Sequence, residues 1–149
     1  MRAVVQRVRE ARIEVGGEQV ASMASGLLAL VGVARGDDEK AALELARRLV
    51  QLRIFEDEAG RMNLSLLDSG GALGIVSQFT LFGDTRSGRR PSFGEAAPAE
   101  QAEPLLEVVV AAARAEGVAV VTGRFRAHME VFLVNDGPVT LMLDTAKRF

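Results

Sequence analysis

GLLALVGV at residues 26–33 and LGIVSQF at residues 73–79 are the two stretches that decide the fold of this chain. Each is a nearly continuous apolar run of strand length, which is typical of a strand buried on both faces at the centre of a sheet. Between them, Asp37 or Asp38 is placed to cap a helix that runs to about Leu52 and carries apolar residues at helical spacing. We therefore expect two buried strands packed against a helix.

Shorter patterns on either side predict further strands, turns and a second helix. Residues 3–8 and 12–15 alternate between apolar and polar side chains, and Gly16-Gly17 fits a two-residue hairpin turn into the next strand. A helix is expected from Pro98 to about Glu116. The last predicted strands are 118–121, 129–134 and 139–143. The predicted fold class is α+β, with mixed, largely antiparallel, barrel-like sheets flanked by helices in a single domain over residues 1–149.

Composition excludes several classes of function before any motif is considered. The chain has 149 residues, no cysteine and a single histidine, so disulfides, thiolate nucleophiles, Cys-ligated zinc and His-cluster metal sites are excluded. No apolar run reaches the roughly 18 residues of a membrane span. The formal net charge is −2, without the basic excess of a dedicated duplex-DNA binder. We expect no membrane partner, no DNA partner, no metal, no cofactor and a cytoplasmic location.

The first segment with functional potential is SQFTL at residues 77–81, where polar side chains end a buried apolar strand. A hydroxyl or amide group that is buried without a hydrogen bond costs free energy, so these groups need partners. One interpretation is a strand end that turns polar where it meets solvent. The other is a ligand site in which the strand end presents backbone N–H groups and the side chains of Ser77, Gln78 and Thr80.

The second segment is NDGPVT at residues 135–140. Its first four residues favour turns, and a hairpin turn explains this composition. A turn alone does not explain why Gly137 and Pro138 stand together just before a strand. Glycine adopts backbone angles that are closed to other residues, and the X-Pro bond adopts the cis form most easily. The alternative is a Gly-cis-Pro pair that points backbone carbonyls into a pocket.

Two further features are interpreted as structural. Residues 68–71 (DSGG) are expected to form a turn between strands, because neither a Gly-x-Ser-x-Gly elbow nor a second histidine accompanies the serine. His128 alternates with Met129 in a strand pattern, so the two side chains are expected to face opposite ways, with His128 at the surface or behind the site.

The loop at residues 82–94 (FGDTRSGRRPSFG) is polar and rich in glycine and arginine. One interpretation is a solvated loop. In the other, Arg86, Arg89 and Arg90 contact the phosphate groups of a bound ligand, and binding then weakens as the salt concentration rises.

The segments SQFTL and NDGPVT resemble the D-aminoacyl-tRNA deacylase family, and QRV, GLL-L-GV, RIF-D--G-MN and TRSGRRPSF extend the match along essentially the whole chain. The resemblance implies an ester hydrolase that removes D-amino acids from the 3′ end of tRNA and clears glycine from tRNA(Ala). It also implies a homodimer in which each active site receives Gly137-Pro138 from the partner subunit. Arg7 is then expected to fix the orientation of that motif, and Met129 to lie near the pocket.

Within this resemblance, residues 77–80 are expected to carry the chemistry. The backbone N–H of Phe79, with that of Thr80, is the candidate donor to the oxyanion, while Ser77 and Gln78 position the terminal adenosine and the ester. The ribose 2′-OH of the tRNA assists a water molecule. Thr80 as a covalent nucleophile is a rival that ranks lower, because no base that could activate it is visible.

Chirality is expected to follow from geometry. If the carbonyls of Gly137 and Pro138 hold the amino group, an L side chain clashes with backbone, whereas a D side chain projects to solvent and glycine passes. Replacing Thr80 by alanine should then retain deacylation, and replacing Pro138 should damage it. The alternative function is a non-catalytic module that binds RNA ends or small ligands, and a purely structural protein is a third option.

Overall fold

The computed structural model describes all of residues 1–149 and contains eight strands and three α-helices. The strands are β1 (Arg2–Val15), β2 (Glu18–Met23), β3 (Gly26–Gly32), β4 (Phe55–Glu56), β5 (Met62–Leu64), β6 (Ala72–Ser77), β7 (Val120–Thr122) and β8 (Glu130–Asp144). The helices are α1 (Glu39–Gln51), α2 (Leu66–Ser69) and α3 (Ala99–Ala115). Strands β4 and β5 pair only with each other, and the other six strands form one sheet.

Strand β1 is the organising element of the six-stranded sheet. Its first half pairs with β3 and its second half with β2 on one side, while β8 pairs along nearly its whole length on the other side, all antiparallel. Strands β3, β6 and β7 pair in parallel. Strands β2 and β7 approach each other, so the sheet curls into a nearly closed barrel. The predicted α+β class with a mixed, barrel-like sheet and flanking helices is confirmed.

The main core lies between one face of the sheet and helices α1 and α3. Leu27, Ala29 and Val31 of β3 point into it, whereas the alternate residue Leu28 points into a smaller apolar cluster on the opposite face. Both faces of β3 are therefore buried, as its continuous apolar run predicts, and each such leucine contributes roughly 2 kcal/mol. The Asp38 carboxylate caps α1 by accepting the Ala41 N–H at 2.9 Å.

Three predicted boundaries are wrong, each for a local physical reason. Residues 3–8 and 12–15 belong to one strand, because β8 bridges the gap between them. The expected turn at residues 68–71 is partly helical, since Ser65 and Asp68 form a reciprocal capping box that begins α2. Strand β6 ends at Ser77 instead of continuing to Phe79, because the chain enters a 3₁₀ turn.

Of the two interpretations of residues 135–140, the hairpin turn is wrong. The segment lies inside β8, which continues to Asp144.

Neither α1 nor α3 has the combination of length and apolar character that a membrane-crossing helix requires.

Candidate active site

The SQFTL segment lies at a sharp bend that follows β6. The Gln78 N–H donates to the Val31 carbonyl at 2.7 Å, which extends the pairing with β3 by one bond, and Phe79–Phe82 then form the 3₁₀ turn. Ser77 and Gln78 are half-buried, and Phe79 is 55% exposed. The buried strand thus delivers a polar bend to the surface.

The bend leaves two adjacent backbone N–H groups without acceptors. The first amides of a helical turn have no partner inside that turn, and no hydrogen bond in the structure uses the N–H of Phe79 or that of Thr80. Two preorganised N–H donors side by side are the arrangement that stabilises the oxyanion of an acyl-transfer reaction.

Two cavities meet at this bend. The smaller, of about 320 Å³, has an apolar lining from β3, the start of α3 and the segment after β7. This lining includes Val31, Val33, Ala97, Ala102, Leu106 and Phe125. The larger cavity, of about 550 Å³, lies between the bend and residues 126–133. Ser77, Phe79 and Arg126 line both cavities and therefore form their shared wall.

Met129 and His128 both line the larger cavity. His128 is exposed at the surface, as expected, whereas Met129 is half-buried. That the two side chains face opposite ways stays a prediction. Strand β8 begins only at Glu130, so the alternation of a strand does not apply to the two residues before it. Sequence reasoning also missed Arg126. Its place at the cavity wall depends on a turn that no sequence pattern predicts.

The NDGPVT segment forms a wide bulge in β8. Gln6 pairs with Thr140 and Val8 pairs with Asn135, so the single residue Arg7 of β1 faces the four residues 136–139. The peptide bond between Gly137 and Pro138 is cis. Both residues are exposed, so the bulge projects from the surface of the chain.

Glycine is required at the head of this bulge. Gly137 has a φ of +153°, and a Cβ atom there would lie 2.6 Å from the Val139 Cγ2 and 2.7 Å from the Val139 N. Any larger residue must therefore displace the backbone of the bulge.

Two side chains hold the bulge in shape. The Asn135 amide replaces the missing strand bonds, because its oxygen accepts the Val139 N–H at 2.7 Å and its nitrogen donates to the Val139 carbonyl at 3.1 Å. Arg7, only 6% exposed, donates from Nε to the Asp136 carbonyl at 2.8 Å and from a terminal nitrogen to the Ile54 carbonyl at 2.6 Å. A buried guanidinium with two fixed acceptors orients the segment rigidly.

The two motifs do not meet within one chain. Ser77 is level with Val31 and Ala3 in the sheet, whereas the bulge is level with Arg7 and lies beyond β3 and β1. With strands about 4.8 Å apart and a rise of about 3.3 Å per residue, the separation along the sheet is about 20 Å. A site that needs both motifs is incomplete in a single copy.

The arginine-rich loop is tied to the bend at one point and carries one neutralised arginine. The Phe93 ring packs edge-on against the Phe79 ring at a centroid distance of 5.0 Å. Arg86 donates twice to the Asp84 carboxylate, at 2.9 and 2.6 Å, and these bonds lower the pKa of that carboxyl to about 2. Arg89 and Arg90 are exposed, and neither forms an ion pair.

Metal chemistry has no evident ligand set in this structure. No group of three or more His, Asp or Glu side chains is placed to hold a metal ion. The polar groups that the bend offers are instead backbone amides, one hydroxyl and one carboxamide.

Known proteins are similar to this chain along its whole length. A D-aminoacyl-tRNA deacylase of Symbiobacterium thermophilum is 57% identical over 149 residues, which cover all of this chain and 99% of that protein. A D-aminoacyl-tRNA deacylase of Thermosipho africanus is 54% identical, with complete coverage of both chains.

Solved structures share the fold. The structure of a protein named c-Myc DNA Unwinding Element Binding Protein superposes with a TM-score of 0.90 at 38% identity, covering 97% of this chain and 98% of that one. The structure of a probable eukaryotic D-amino acid tRNA deacylase has a TM-score of 0.81 at 17% identity over 95% of this chain and 97% of that one.

A family model described as D-Tyr-tRNA(Tyr) deacylase matches residues 4–144. With the full-length relatives, this match confirms the enzyme class expected from the sequence, a hydrolase that acts on ester bonds. The chain therefore belongs to the D-Tyr-tRNA(Tyr) deacylase family.

Proposed function

We propose that this chain hydrolyses the ester bond of D-aminoacyl-tRNA and releases free tRNA and the D-amino acid. The observation that carries the proposal is the unused N–H of Phe79, a residue of the wall between the two cavities, followed directly by the unused N–H of Thr80. Family membership and the names of the full-length relatives support the substrate class. Residues 1–149 then act as one deacylase domain, and the cytoplasm is the proposed location.

The two cavities fit the two parts of the substrate's end. The smaller apolar cavity suits the terminal adenine, because flat bases are bound by apolar and aromatic walls such as Phe125. The larger cavity receives the aminoacyl ester. Ser77 at the junction and Gln78 in the larger cavity position the ribose and the ester through their hydroxyl and carboxamide.

The proposed reaction needs no protein nucleophile. Water adds to the carbonyl carbon, the resulting oxyanion accepts hydrogen bonds from the N–H groups of Phe79 and Thr80, and the bond to the 3′-oxygen then breaks with a proton passing to that oxygen. One such donor contributes about 3 kcal/mol to the transition state. The neighbouring 2′-OH of the tRNA orients the water. The Thr80 side chain lines neither cavity, which argues against covalent catalysis.

The rest of the site comes from a second copy of the chain in this proposal. Strand β8 pairs only with β1, so its outer edge is unpaired, and it exposes Val134, Leu141 and Met142 to 44%, 38% and 61%. An exposed apolar edge strand is a surface that a second chain covers. In the homodimer, the bulge of one protomer enters the larger cavity of its partner.

Stereochemistry then follows from backbone alone. The carbonyls of Gly137 and Pro138 grip the amino group of the substrate, on a bulge that Arg7 orients through the Asp136 carbonyl and with Met129 of the receiving cavity nearby. An L side chain points into this backbone, whereas a D side chain points to solvent. Glycine has no side chain and therefore does not clash with the backbone. We therefore include Gly-tRNA(Ala) among the substrates.

Contacts to the body of the tRNA are proposed for the loop after the bend. Arg89 and Arg90 have no carboxylate partner and are free to contact phosphates, whereas Arg86 contributes less because Asp84 neutralises it. Activity should consequently fall with increasing salt.

A second candidate is binding of nucleic-acid ends without turnover. It is favoured by the similarity to c-Myc DNA Unwinding Element Binding Protein at 38% identity, since that protein is named for binding a DNA element. Single-stranded and duplex DNA are added as competitors for tRNA binding. This experiment tests the second candidate and also the expectation that the chain has no DNA partner.

Deacylation of matched tRNA esters tests the proposal directly. The chain should release D-Tyr and D-Asp from their tRNAs and glycine from tRNA(Ala), and should leave L-Tyr-tRNA intact. Equal cleavage of D- and L-Tyr-tRNA would contradict the stereochemical part. Binding of tRNA without any release would favour the second candidate.

A further inference from the structure

Arg126 has a backbone conformation that its residue type rarely adopts. Its φ is +65°, in the left-handed region, within a turn in which the Ala127 N–H donates to the Arg124 carbonyl at 3.2 Å. A bulky residue in this region is an energetically unfavourable outlier, and such outliers concentrate at functional sites.

This conformation places Arg126 at the junction of the two cavities. Arg126 is exposed and shares with Ser77 and Phe79 the wall between the smaller and the larger cavity. No carboxylate lies within ion-pair distance of its guanidinium, in contrast to Arg86, which is bound to Asp84. An unpaired guanidinium at a cavity mouth is a candidate for binding an anion.

The chemistry of the substrate indicates which anion this is. In the proposed function, the ribose of the terminal nucleotide lies at the shared wall, with its base in the smaller cavity and its ester in the larger. Apart from the 2′-OH, the remaining substituent of that ribose is the 5′-phosphate, and it carries the only negative charge of the terminal nucleotide. We propose that Arg126 binds this 5′-phosphate and thereby fixes the ribose, so that the ester carbonyl meets the N–H groups of Phe79 and Thr80.

The inference rests on the proposed function but is testable without turnover. Adenosine and adenosine 5′-monophosphate differ only in this phosphate, and calorimetric titration measures the binding of each to the full chain. The wild-type protein should bind the monophosphate about tenfold more tightly, as expected for one charge-assisted bond to phosphate. Arg126→Gly should bind both equally, since glycine keeps the left-handed backbone and removes only the side chain.

Two control variants separate charge at this position from charge elsewhere. Arg126→Lys should keep part of the preference for the monophosphate. Arg47→Ala, which removes an exposed arginine from α1, should leave the preference unchanged. Equal affinities in the wild-type protein, or a preference that persists in Arg126→Gly, would overturn the inference.

Kinetics provide the second readout. With D-aminoacyl-adenosine 5′-monophosphate, Arg126→Gly should lower kcat/KM about tenfold, whereas with D-aminoacyl-adenosine it should match the wild type. An equal loss with both substrates would also overturn the inference. If the wild type prefers the monophosphate through Arg126 but cleaves no D-ester, the proposed function fails while the phosphate site stands.

Discussion

The bend at residues 77–81 and the bulge at residues 135–140 both interrupt a strand, but they do so in opposite environments. The bend follows a strand buried between two parallel neighbours and opens into cavities of its own chain. The bulge lies in an edge strand and projects from the surface. The bend therefore has the shape of a binding site, and the bulge has the shape of a segment that inserts into one. The difference supports the proposal that one active site combines parts of two copies of the chain.

The largest effect should come from removing a backbone donor of the bend. Phe79→Pro deletes the N–H that has no acceptor in the free chain, and Phe79 is the first residue of the 3₁₀ turn, where proline is accommodated. We expect kcat for D-Tyr-tRNA to fall about 100-fold to 1,000-fold.

Phe79→Ala is the matched control for this variant. It also loses the ring that packs on Phe93 but keeps the N–H, so kcat should fall much less. Equal losses in single-turnover assays of the two variants would exclude the proposed oxyanion donor.

The bulge should respond to a single added methyl group. Gly137→Ala places a Cβ atom against Val139 and forces the bulge to shift, and a displacement of about 1 Å costs about 100-fold in rate. The measurement is kcat/KM for D-Tyr-tRNA, with circular dichroism to verify folding. A folded variant with wild-type activity would show that the bulge does not contribute to the site.

Thr80→Ala should have a small effect. Its side chain lines neither cavity, and the variant keeps the backbone N–H, so D-Tyr-tRNA deacylation should stay within about threefold of wild type, far from the loss expected for a nucleophile. Complete loss of turnover with unchanged tRNA binding would instead establish a covalent route through the hydroxyl.

The smallest effect concerns the loop after the bend. Because Arg86 lowers the pKa of Asp84 to about 2, replacing Arg86 by alanine should raise that pKa toward its ordinary value of 3.8. Since the folded-state pKa is the lowered one, the stabilising pair is complete above about pH 4 and is lost as the pH falls through 2. Carbon-13 NMR titration of the carboxyl measures the shift, and an unchanged pKa would contradict the pairing.

Much of the fold was predictable because its signals are local. The apolar run at residues 26–33 and the spacing of Leu45 and Leu49 each depend on a short window, and the structure confirms a buried strand and α1 there. The helix α2 was missed although its signal, Ser65 followed by Asp68, is present in the sequence. The capping box is a weak signal beside the glycines that follow it.

The candidate site was predictable in its parts and not in its arrangement. The sequence identifies the two motifs. Strand β8 runs through the bulge because the Asn135 amide substitutes for backbone hydrogen bonds, and secondary-structure propensities do not include such a bond. The place of Arg126 and of His128 beside the cavities depends on how distant segments pack. Their roles in the site stay predictions.

Complementation between two defective variants tests the central claim most directly. Phe79→Pro disables the bend and Gly137→Ala disables the bulge, so each variant alone should be nearly inactive. If each site combines the bend of one protomer with the bulge of its partner, a mixture refolded in equal amounts should regain about a quarter of wild-type D-Tyr-tRNA deacylation, because half of its dimers hold one intact site. No recovery, with mixed dimers demonstrated by mass spectrometry, would contradict a shared site.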